Sequence, residues 1–167
     1  MVLTVIQVSV ATAQFASTEP ARNLALFFDR TGRNAVAAVD PAERGAFVAA
    51  LYVAGDLLVI RAHHPSVLEV TRLMESGRFV DVYSRLRATP TPVGKLSVTD
   101  ANANGLLSAI PGGANIDLVR IDGTRRIVFN GDLDAQNMTA AEYDAALAAA
   151  DRRYARLLTV LLSAVEP

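Results

Sequence analysis

Residues 34–76 constrain the fold more than any other part of the chain, because their punctuation spells out a topology. Ala35–Val39 is an apolar run closed by Asp40-Pro41, and Ala46–Val53 and Leu57–Ala62 follow it, separated by Ala54-Gly55-Asp56. Proline presets φ and glycine permits a positive φ, so Asp40–Gly45 (DPAERG) and Ala54-Gly55-Asp56 read as the two corners of a three-strand meander. The second and third runs are almost continuously apolar, as expected for strands buried on both faces. His63-His64-Pro65-Ser66 then opens a segment with apolar residues at helical spacing, Val67, Val70, Thr71 and Met74, and Gly77 after it. This predicts a short helix over Pro65–Ser76, capped by His64, with Pro65 in its first turn.

The flanking segments extend the pattern. Ser17 or Thr18 is placed to cap a first helix, with Pro20 in its first turn, Leu24, Phe27 and Phe28 on its buried side, and Gly32 as its stop. Phe79–Leu86 reads as a strand or as a continuing helix, the strand being favoured, and Lys95–Thr99 reads as a strand. Ala88–Gly94 (ATPTPVG) and Ile110–Ala114 (IPGGA) are loops, the first because its two prolines block both ladder and helix. Asn115–Asn130 is a hairpin built on Asp122-Gly123. A two-residue type I′ turn there predicts Leu118 opposite Ile127 and Ile116 opposite Phe129 on the apolar face, with Asp117 opposite Val128 and Val119 opposite Arg126 on the other. Thr139-Ala140-Ala141-Glu142 is a capping box that starts a long helix. Tyr143, Leu147, Ala150, Tyr154, Leu157 and Leu161 form its apolar seam, with Asp151, Arg152, Arg153 and Arg156 off it. That seam suits packing on the sheet, or a helix–helix contact between two copies. The expected fold class is α+β, with a mostly antiparallel sheet, a short helix after the third strand and a long C-terminal helix.

Composition narrows the classes of function. A chain of 167 residues is long enough to bury its own core as one domain, here residues 17–167, and no linker or repeat divides it. A net charge of -1 gives no basic field for nucleic acid. Without cysteine there are no disulfides, thiolate ligands or thiol nucleophiles. No G-x-S-x-G, G-x-G-x-x-G or P-loop occurs, and the two histidines are adjacent, so no nucleophile–base pair is legible. Residues 1–16 carry two readings. Val2, Ile6, Val8 and Val10 share a face at strand period, whereas Ala11-Thr12-Ala13 is an A-x-A triplet suited to signal peptidase and tilts the expectation towards a periplasmic or secreted protein over a cytoplasmic one. An apolar run of about 14 residues is too short to span a bilayer, so no transmembrane segment is expected.

Two constellations carry candidate chemistry. Arg61, His63, His64 and Ser66 converge on the start of the expected Pro65–Ser76 helix, where free amides and the helix dipole favour a phosphate or carboxylate. The competing reading is a solvated strand end with His64 as a cap. Adjacent His63 and His64 point to opposite faces of an extended chain, which disfavours a metal held by that pair. Asp100-Ala101-Asn102-Ala103-Asn104-Gly105 matches the first half of a D-x-[DN]-x-[DN]-G calcium loop, with Asp100, Asn102 and Asn104 as oxygen ligands. Pro111 stands where the bidentate glutamate belongs, so calcium is expected to bind weakly, and ordinary turn chemistry accounts for Asn104-Gly105 equally well. Asp132-Leu133-Asp134 has a similar look, but Asn137 replaces its glycine.

Leu24–Tyr83, with its helix, its DPAERG turn, two further strands and the serine of HHPSVL at an expected helix start, resembles the FMN-binding split-barrel family to which pyridoxamine 5'-phosphate oxidase belongs. The resemblance implies a split β-barrel homodimer with FMN at the subunit interface and Ser66 in the phosphate-binding S-R-K motif. The chain departs from that motif at Val67 and Leu68, which replace its basic residues, and AFVAALYV supplies no cation for the flavin phosphate. Two classes therefore stay open: an FMN-dependent oxidoreductase, and a non-catalytic binding protein for a small anionic ligand on a degenerate form of the scaffold.

Overall fold

The computed structural model describes residues 15–43, 46–62, 70–75, 78–83, 96–106, 117–121, 125–129 and 137–165. Helix α1 (Thr18–Thr31) is followed by β1 (Ala35–Val39), β2 (Phe47–Val53) and β3 (Asp56–Ala62). Then come β4 (Val70–Glu75), β5 (Arg78–Tyr83), β6 (Leu96–Asp100), a 3-10 turn at Ala101–Ala103, β7 (Asp117–Ile121), β8 (Arg125–Phe129) and α2 (Ala140–Val165). The sheet runs β1-β2-β3-β6-β7-β8 with every neighbouring pair antiparallel, and β4-β5 forms a separate two-stranded ladder. The α+β class, the meander and the long last helix all follow the sequence pattern.

One face of the sheet carries the core. A single cross-strand row, Val36↔Ala50↔Val59↔Val98↔Val119↔Ile127, crosses all six strands. Ala50, Val59, Val98 and Val119 join Leu24 and Phe28 of α1 and the α2 residues Tyr143, Leu147, Ala150, Tyr154, Leu157 and Leu161 in one buried cluster. The α2 seam read from the sequence is therefore buried in full, against α1 and the sheet of its own chain. Its capping box also forms: the Thr139 amide donates to Glu142 Oε2 at 2.8 Å, and the Glu142 amide to Thr139 Oγ1 at 3.3 Å.

The opposite face is also apolar but unevenly covered. Leu58 and Ile60 of β3 are shut off from solvent there, Leu51 and Ala49 of β2 are half-buried, and Ala35, Ala37 and Val39 of β1 are exposed, Val39 by 72%. The third strand is thus buried on both faces, as its continuous apolar run required.

Three expectations need correction. Val70–Glu75 is strand, not the body of a Pro65–Ser76 helix; residues 63–69 lie outside the described set. The register sets Arg72 opposite Asp81 and Glu75 opposite Arg78, so opposite charges occupy facing positions, and two residues, Ser76-Gly77, separate the closing pair. Val70 and Thr71 are β-branched, and Tyr83 and Val82 face them in the partner strand, a ladder that helical spacing alone does not reveal. The β7–β8 hairpin is slipped by one residue from the expected register: Asp117 faces Phe129, Leu118 faces Val128 and Val119 faces Ile127. The closing pair Ile121↔Arg125 leaves three residues between the strands, one more than the two-residue turn expected at Asp122-Gly123 allows, and those residues lie outside the described set. Finally, Ser17 sits at the N-cap of α1 without a side-chain hydrogen bond to its own helix.

Candidate functional site

Arg61 lies on the helix-facing side of β3, in register with Val48, and is 6% exposed. Its guanidinium is ion-paired with Glu43 of the β1–β2 turn. Glu43 Oε1 also accepts from Arg156 of α2 at 3.0 Å, and Arg156 donates to both oxygens of Asp40, at 3.3 and 2.5 Å. Asp40 is 2% exposed and its Oδ1 further accepts the Ala42 amide at 3.0 Å, an Asx-type brace of the turn that Pro41 starts. These two carboxylates and two guanidiniums tie the β1–β2 turn to β3 and α2. The cation expected to meet an anionic ligand is thus compensated by a carboxylate of its own chain. His63, His64 and Ser66, the rest of that expected site, lie outside the described residues.

At the other end of the sheet, Asp100 closes β6 and is fully buried. Its Oδ1 accepts the Asn104 amide at 3.1 Å, and its Oδ2 accepts the Gly105 amide at 3.0 Å and the Tyr154 hydroxyl at 2.9 Å. Asp117 Oδ1 accepts the Ala101 amide at 2.9 Å, and Asp56 Oδ1 the Asn102 amide at 3.3 Å. Three carboxylates therefore hold the backbone of residues 101–105 in place, with Asn102 at φ 69 and Gly105 at φ 84. Of the expected calcium ligands, Asp100 has both oxygens occupied by protein donors and Asn102 is exposed. Among the described residues, no group of three or more acidic or histidine side chains is arranged to hold a metal.

Burial raises the Asp100 carboxyl from 3.8 to about 6, against the opposing pull of its Tyr154, Gly105 and Asn104 donors. The same burial, with the Asp100 charge beside it, holds the Tyr154 hydroxyl well above its ordinary value. Because the folded-state value exceeds the unfolded one, the Asp100 contribution is complete below about pH 4 and is lost as pH rises through about 6. Ionising it in the folded protein costs about 3 kcal/mol at neutral pH. A carbon-13 titration of the Asp100 carboxyl should therefore show a midpoint near 6. A midpoint at the ordinary aspartate position would mean that water reaches the group.

A third polar site was not legible as one. Asp151, one residue past Ala150 of the α2 seam, is 5% exposed and accepts the Ala16 amide at 2.7 Å, the Ser17 amide at 3.0 Å and the Ser17 hydroxyl at 2.5 Å. Ser17 Oγ in turn accepts the Leu106 amide at 2.9 Å. The last helix thus supplies the acceptor at the first helix's N-terminus, and Ser17 relays it to the loop held by Asp100. The sequence signal was faint: a single acid on the flank of an alanine-rich seam. No protein-family profile, curated protein or solved structure matches the chain.

Proposed function

We propose that the protein is a non-catalytic binding module for small molecules, built on a split-barrel-like scaffold and exported. The observation that carries this reading is the division of its surfaces. The buried polar side chains Arg61, Asp40, Asp100, Asp151 and Tyr154 are engaged in internal contacts that brace turns and helix ends. The sheet face away from the helices instead offers an apolar shelf that grades from exposed Ala35 through half-buried Leu51 to fully buried Leu58, residues that face one another across three strands. Such a shelf suits the apolar body of a small ligand. A flavin phosphate at Arg61 would have to displace Glu43.

The purified protein should be colourless and should stay so after incubation with FMN and desalting. Anilinonaphthalene sulfonate, a probe with an apolar body and an anionic end, should bind saturably, and Leu51→Lys should abolish that binding with the circular dichroism spectrum unchanged. Retained flavin absorbance would overturn the reading in favour of an FMN-dependent oxidoreductase.

A further inference from the structure

We draw no further inference here: the strongest candidate, the cluster of buried carboxylates Asp56, Asp100 and Asp117 around the 101–105 turn, belongs to the site already described, where each of them accepts a backbone amide of that turn.

Discussion

Gly105→Ala is expected to lower the unfolding free energy by about 3 kcal/mol, combining backbone strain at positive φ with overpacking. Gly105 is at φ 84, and a Cβ there would meet Ser17 Oγ and the Thr18 amide nitrogen at 2.7 Å and the Ser17 carbonyl carbon at 2.8 Å. Two of those atoms belong to the backbone at the start of α1, which Asp151 holds from the other side, so rotation of a flexible side chain cannot relieve the contact. A thermal midpoint lower by roughly 10 °C is the corresponding reading for a chain of this size. By contrast, a Cβ at Gly55 would meet nothing within 4 Å, so Gly55→Ala at φ 88 isolates the cost of the backbone conformation from that of the close approach. Equal losses at the two positions would show that the α1 terminus yields.

Asp151→Ala should cost about as much, roughly 3 kcal/mol, because the removal of one side chain strands the buried amide and hydroxyl of Ser17 and the partly buried amide of Ala16. Ser17→Ala removes the hydroxyl that Asp151 accepts from, and also the acceptor of the Leu106 amide, so it too should destabilise, by about 1–2 kcal/mol. The double variant should cost less than the sum, since both substitutions break the same contact. Urea unfolding of the three variants measures this. Additive losses would mean that Ser17 and Asp151 act separately.

The elements legible in the sequence are those whose signals are local. Pro20 and Gly32 bracket α1, Asp40-Pro41 and Gly55 bracket β2, and the Thr139–Glu142 box with its spaced seam predicts both the start and the buried face of α2. The errors arise where a partner distant in sequence decides. Val70–Met74 fits a helical face and a strand equally well until β5 is set opposite it. Asp122-Gly123 proposes a turn, but the β7 register also answers to β6, where Val98 faces Val119 in the core row. For the candidate sites, residue type gave no warning of occupancy. Arg61 and Asp100 have the chemistry of ligand-binding residues, yet Glu43 neutralises the one and Tyr154 with two backbone amides occupies the other. A serine before a helix ordinarily caps it, and here Ser17 serves Asp151, 134 positions further on.

That separation bears on how the chain matures during synthesis. The acceptor for the start of α1 and the apolar cover for Leu24 and Phe28 both come from α2. While translation proceeds, the β1–β3 meander can pair as it emerges, but its helix-facing side and the amides of Ala16 and Ser17 stay wet until Asp151 through Leu161 have cleared the ribosome. Loop closure over such a span is slow relative to hairpin formation. Nascent chains arrested before residue 151 should therefore be digested readily by protease within α1, and chains arrested far enough past α2 to release it should resist.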